Sequence, residues 1–144
     1  ENNYYNNANY NTDGKSLDLG VDLIAKSGIS YSGNIRFTDN DAVYKPYGNE
    51  KMYISASIGS RLPLNFYMNA SAGLEKTKYD AYQLMWLTTR EDDLKFISIN
   101  LKNERIYFKN FYPQINFTIR DNDSNVESYK TSSNSASLYF VKDF

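Results

Sequence analysis

F-Y-P-Q-I-N-F-T-I-R at residues 111–120, D-N-D-S-N-V-E-S-Y-K-T-S-S-N at 121–134 and S-A-S-L-Y-F-V-K-D-F at 135–144 decide the fold. The first segment alternates, with Ile115, Phe117 and Ile119 on one side and Gln114, Asn116, Thr118 and Arg120 on the other. The second is polar and reads as a loop that ends the strand. The third alternates again: Leu138, Phe140 and Phe144 face one way, and Ser137, Tyr139 and Asp143 the other. Two period-2 strands joined by a polar loop make a hairpin. Phe144 lies in phase with the apolar face, where an ordinary soluble chain frays into a polar tail.

The composition narrows the chemistry. The chain has 144 residues, one domain's worth, and a net charge of -1, which leaves no nucleic-acid footprint. It has no Cys and no His, which removes disulfides, thiolate and imidazole metal sites, and His-based triads. Its 14 Tyr and 8 Phe favour strands. No apolar run approaches the roughly 18 residues of a membrane helix. A mean hydropathy of -0.64 is compatible with a membrane barrel, in which every second residue faces lipid. The opening E-N-N-Y-Y-N-N-A-N-Y-N lacks a basic start and an apolar core, so residues 1–14 read as a loop or tail and not as a signal peptide.

The same alternation runs upstream. Leu17, Leu19, Val21, Leu23 and Ala25 alternate with Ser16, Asp18, Gly20, Asp22 and Ile24. After the Ser27–Gly28 turn signal, Ile29, Tyr31, Ile35 and Phe37 define a second strand. Met52, Ile54, Ala56 and Ile58 define a third. Leu64, Phe66, Met68, Ala70, Ala72 and Leu74 define a fourth, after a turn at Leu62–Pro63. A strand across Asp93–Tyr107 centres on Ile97, Ile99 and Leu101, and N-F-Y-P makes a short turn after it. Residues 39–50, 77–92 and 121–134 read as long loops; A-Y-Q-L-M-W-L within the second also fits a strand, which would make eight, but its apolar residues do not alternate, which favours the loop. No segment has a helical period.

About seven strands of roughly 9–14 residues, with short turns alternating with long loops, match the outer-membrane barrel plan. The expected fold is therefore all-β: an antiparallel transmembrane β-barrel. An odd strand count with long loops outside predicts that residues 1–144 supply about seven C-terminal strands of a larger barrel, of about 14 strands. Leu17, Leu19, Val21, Ile35, Phe37, Met52, Ile54, Phe66, Met68, Ile115, Phe117, Leu138 and Phe140 would face lipid. Asp18, Asp22, Arg36, Arg61, Glu75, Lys102, Glu104 and Arg120 would line a wet lumen and form a candidate cargo path. A lone charge at mid-depth on the lipid side would cost about 2–4 kcal/mol. Tyr31, Tyr53, Tyr107, Phe108, Phe111 and Tyr112 are expected in interfacial girdles, with Lys142 snorkelling to the headgroups.

From Arg90 onward the sequence resembles the C-terminal barrel of the Slam family, the surface lipoprotein assembly modulators. The resemblance rests on R-E-D-D, the long strand through I-S-I-N-L-K-N-E-R-I-Y-F, the aromatic-x-Pro turn, D-S-N-V-E-S-Y and L-Y-F-V-K-D-F. Arg90, Asp93, Phe111, Pro113, Ser124, Asn125, Lys142 and Phe144 occupy its marked places, over about 55 residues; Asn110 stands where a Gly is common. Residues 1–89 are compatible by strand pattern alone. The resemblance implies an outer-membrane translocon for surface lipoproteins, or for secreted haem- or metal-acquisition proteins. Implied with it are a bacterial outer-membrane location and four partners: membrane lipid, the N-terminal half of the same barrel, the cargo, and the barrel-assembly machinery. Leu138, Phe140 and Phe144 would be the terminal signal for that machinery.

Other chemistries read weakly. D-N-D-S-N begins like a calcium loop but has Val126 and Ser132 where Gly and Glu are needed, so no metal is expected. Asp92–Asp93 and Asp39/Asp41 are poor catalytic pairs. No enzyme and no cofactor is expected. Trp86 reads as loop or interface packing before partner anchoring. A small soluble ligand-binding barrel and a passive outer-membrane pore are the alternative functions.

Overall fold

The computed structural model describes residues 12–43, 45–83, 85–103, 105–106 and 111–142. Seven strands account for most of it: β1 (Thr12–Ile24), β2 (Ser30–Ala42), β3 (Asn49–Leu62), β4 (Phe66–Gln83), β5 (Thr88–Asn103), β6 (Phe111–Ser124) and β7 (Thr131–Lys142). They form one antiparallel sheet in chain order. Among the described residues the remainder is turns and three short 3-10 segments, at Lys45–Tyr47, Pro63–Asn65 and Glu127–Tyr129.

The register turns the alternation into two faces. Leu23, Tyr31, Ile58, Ala70, Ile99, Phe117 and Ala136 stand side by side across all seven strands. On the other face, Asp22, Ser32, Ser57, Ser71, Ser98, Thr118 and Ser135 form the matching row. A one-residue slip anywhere would exchange the two sets, so the pattern fixes the parity of the register.

The apolar rows slant. They cover Leu17–Leu23 on β1 but Ala136–Phe140 on β7. The band's centre shifts by about five residues over the six steps across the sheet. At about 3.3 Å per residue and about 4.8 Å per step, that is a slant of about 30°. A level apolar band crossing tilted strands is the geometry of a barrel wall, where strands tilt by about 35–45°.

The apolar face is also the open one. Leu17, Leu19, Val21 and Leu23 are each 57–60% exposed. Along β3, Met52, Ile54 and Ile58 are exposed while Tyr53, Ser55 and Ser57 between them are half-buried. The inner strand β3 thus shelters its polar side and presents its apolar side, the reverse of a soluble barrel, whereas the edge strand β1 is exposed on both faces. Each such Leu or Val left in water forfeits about 1.5–3 kcal/mol.

Several boundaries differ from the sequence reading. Residues 77–92 are not a long loop: β4 runs to Gln83 and β5 starts at Thr88. Between Lys78 and Tyr82 the register shifts, so Tyr79, Asp80 and Ala81 oppose Arg90 alone. That bulge breaks the alternation which would have marked the strand. The polar stretches 39–42 and 121–124 likewise continue β2 and β6 instead of beginning loops. Their neighbours supply ladder hydrogen bonds, and strand preference follows that context more than composition. Phe111 and Pro113 open β6 and are not part of a turn. The Ser27–Gly28 turn is present, with Gly28 at φ 81°, where a side chain would be strained.

Candidate functional site

The polar face is the candidate site, and its side chains follow from strand parity. Near the end that carries the 43–48, 84–87 and 125–130 connections (the loop end), Asp18, Arg36, Tyr53 and Glu75 lie in one row. Arg36 donates from Nε to Asp18 Oδ2 at 2.6 Å, and Asn34 donates to the same carboxylate. Gly73 leaves its place on this face open, and the Phe96 ring fills it while stacking on Tyr53 at 6.0 Å between centroids. A Cβ on Gly73 would collide with that ring and with the Ile54 carbonyl. Tyr53 therefore lies on the polar face and not in the expected girdle on the apolar one. Tyr112 does too, beside Lys102, whereas Tyr31 and Phe111 do face outward.

Mid-height, beyond Asp22 on the edge strand β1, the wall's Ser, Thr and Asn side chains bond one another across strands. Ser32 and Ser57 share a bond of 2.5 Å, Ser98 and Thr118 one of 3.1 Å, and Asn116 donates to Ser98 at 3.3 Å. These rows satisfy one another across strands, as a water-lined surface allows.

The best-buried cluster closes the loop end. The guanidinium of Arg90 grips Asp92 through two bonds, Nε to Oδ1 at 3.0 Å and Nη2 to Oδ2 at 2.5 Å. Its plane lies between Tyr129, 3.3 Å from the ring centroid, and Tyr79 at 4.6 Å. Trp86 meets Tyr129 edge-on at 5.9 Å. Thr77, Asp92, Ser124 and Val126 are buried around it. Burial would lower the Arg90 pKa, but Asp92 and the tyrosines outweigh it and hold the guanidinium above its ordinary value. Burial pushes the Tyr79 phenol up, partly offset by Arg90, so it stays neutral.

Asn125 ties the β6–β7 connection to β5. Its side chain accepts from Glu91 N–H at 2.9 Å and donates to the Thr89 carbonyl at 2.8 Å, and its own N–H donates to the Glu91 carbonyl at 3.2 Å. Asn125→Ala leaves only the last of these. The expected result is loss of about 1–2 kcal/mol of local anchoring and cleavage at 125–130 about tenfold faster under limited proteolysis. An unchanged cleavage rate would show that the cluster and not Asn125 holds the segment.

At the opposite end, with the 25–29, 63–65 and 104–110 connections (the turn end), Arg61, Tyr67, Lys102, Gln114 and Tyr139 form one polar-face row. Lys102 Nζ sits 5.4 Å from the Tyr67 ring and 5.7 Å from that of Tyr112.

Of the sequence-predicted lumen residues, Asp18, Arg36 and Glu75 share one row, Arg61 and Lys102 another, and Asp22 and Arg120 lie on the same face apart from both. Glu104, Tyr107, Phe108 and Phe144 lie outside the described residues. Leu138 and Phe140 face the apolar side, and Lys142 lies over Phe111 at 5.9 Å. Sequence reasoning missed Tyr79, Asp92 and Tyr129. The one available signal was the i,i+2 spacing of Arg90 and Asp92, which puts both on one strand face. Asp93 points the other way and meets Lys76 at 3.5 Å. Among the described residues no group of acids is arranged to hold a metal.

An antiparallel sheet with an exposed apolar face, a sheltered polar face and a slanted apolar band is a section of a membrane β-barrel wall. The chain belongs to the surface lipoprotein assembly modifier family, whose sequence model matches residues 1–144. The match thus covers residues 1–89 as well, where strand pattern alone had spoken. No curated protein and no solved structure matches the chain. The family is one of lipoprotein assembly, not an enzyme family.

Proposed function

We propose that this chain forms part of an outer-membrane translocon wall, with its polar face lining the passage for surface lipoproteins. The observation that carries the reading is the inverted exposure within the internal strand β3: apolar Met52, Ile54 and Ile58 stand open while Tyr53, Ser55 and Ser57 between them are sheltered. A soluble ligand-binding barrel needs the opposite arrangement.

The edges support a larger barrel. With seven strands, β1 and β7 run in the same direction, so they cannot pair antiparallel with each other. Further strands, from the N-terminal half of the same barrel, would complete the wall. Membrane lipid would cover the apolar band, and the barrel-assembly machinery would insert it through the strand bearing Leu138 and Phe140. Lipoproteins, or secreted haem- or metal-acquisition proteins, would be the cargo.

Deleting the gene should remove lipoprotein cargo from the cell surface while leaving its total amount unchanged, read by protease shaving and immunoblotting. Cargo still displayed would favour a passive pore. The intact mass of the protein extracted from outer membranes should be well above 16.6 kDa. A soluble protein of that mass would overturn the membrane reading.

A further inference from the structure

Strands β4 and β5 run well past the apolar band. The band ends at Leu74 on β4 and begins at Ile97 on β5, and nine further residues on each strand carry the hairpin on to Gln83 and back from Thr88. At about 3.3 Å per residue and a tilt of about 40°, the 84–87 tip stands about 23 Å beyond the hydrocarbon edge. Headgroups fill only about 5–8 Å of that distance. Along the hairpin the outward side chains are charged: Lys76 meets Asp93, and Lys78 reaches Glu91 at 4.0 Å. The tip reverses this character. It reads L-M-W-L, with Met85 81% and Leu87 73% exposed. Leu87 sits at φ 52°, a backbone in which leucine is strained and Gly or Asn is not. The hairpin is braced on both flanks. Asp80 donates its backbone N–H to the Gly48 carbonyl at 3.0 Å on one side. On the other, Trp86 packs on Tyr129, which also covers Arg90. Leu64 shares the left-handed backbone, at φ 61°, and is 74% exposed, but it stands two residues from Phe66 at the turn-end edge of the band. Lipid headgroups account for Leu64 and are out of range of Met85 and Leu87.

We infer that the β4–β5 hairpin is a docking arm whose apolar tip, Met85 and Leu87, engages an apolar groove on the lipoprotein cargo, clear of the membrane. The inference rests on the proposed function and names the place where the wall holds its cargo. Methionine is among the side chains enriched where proteins meet, and its unbranched, polarisable chain moulds to the surface it touches. Side chains displayed on a braced backbone lose little freedom on binding, so more of the contact energy appears as affinity. A protruding tip fits a groove in a folded partner, whereas a lone acyl chain needs a groove in this chain. The distance from the bilayer leaves protein, and not lipid, as the occupant.

The test uses the full-length protein in cells whose lipoproteins carry radiolabelled palmitate. A photocrosslinking benzoylphenylalanine in place of Met85 should join a palmitate-labelled protein under ultraviolet light, and the same group in place of Leu64 should yield about tenfold less of it. Met85→Ser with Leu87→Asn should cut lipoprotein display about tenfold, read by protease shaving and immunoblotting. Leu64→Asn makes the matched change at the turn end and should leave display within about threefold. Asn tolerates the left-handed backbone at both places, and heat-modified gel mobility confirms that each variant is folded. Display unchanged in the double variant, equal losses in both variants, or crosslinks from position 85 that reach only lipid or a second copy of this chain would overturn the arm. A deletion strain that still displays its lipoproteins would instead remove the translocon reading, whatever position 85 touches.

Discussion

Ala70→Arg destabilises the inserted barrel by about 2–4 kcal/mol, whereas Ser71→Arg, one residue further on, costs less than about 1 kcal/mol. Ala70 stands mid-band between Ile58 and Ile99, where a guanidinium would lie at bilayer depth without water. Ser71 stands between Ser57 and Ser98 on the polar face, where an added charge stays solvated. The urea midpoint of the full-length protein refolded in lipid vesicles measures both. A third variant separates lipid from a packed interior, since Arg would be unwelcome in either. Ala70→Phe only adds apolar surface against fluid lipid and should change stability by less than about 0.5 kcal/mol. In a close-packed core the same change would cost about 1–3 kcal/mol. Equal costs for the two arginines, or a costly Phe, would refute the lipid-facing assignment.

Arg90→Ala costs about 3–5 kcal/mol, because it leaves the buried Asp92 carboxylate without its partner. It also removes the plane held between Tyr79 and Tyr129, so the 125–130 connection loses the surface it packs on. Arg90→Lys keeps a charge but not the two-bond grip or the stacking, and should recover less than half of the loss. Arg90→Met combined with Asp92→Leu should recover most of it, since it removes both charges together. The measurements are the urea midpoint and protease sensitivity at 125–130. A midpoint unmoved by Arg90→Ala would mean that water reaches Asp92 and the pair is not a structural anchor.

How far the sequence could be read followed from the range of each interaction. The alternation at Leu17–Ala25 and Met52–Ile58 is a property of adjacent residues, so the faces of β1 and β3 were legible. Residues 77–92 were not, because the bulge at Tyr79–Ala81 interrupts the pattern where β4 and β5 still pair. The Arg/Asp feature was visible at Arg90, but the partner is Asp92 and not Asp93, a choice made by strand parity. Asn125 was visible as part of a Ser-Asn pair. Its role was not, because it bonds β5 residues 34 and 36 positions away.

By itself the sequence determined which side chains share a face, and hence an apolar and a polar surface, since a strand's period of two needs no partner. It also excluded His and Cys chemistry outright. Only the tertiary structure decided where strands stop, that the apolar face is the open one, how far the band slants, and that Arg90 is caged by Tyr79 and Tyr129. Those depend on register between strands, which is set by hydrogen bonds and packing across the sheet and leaves no trace in neighbouring residues.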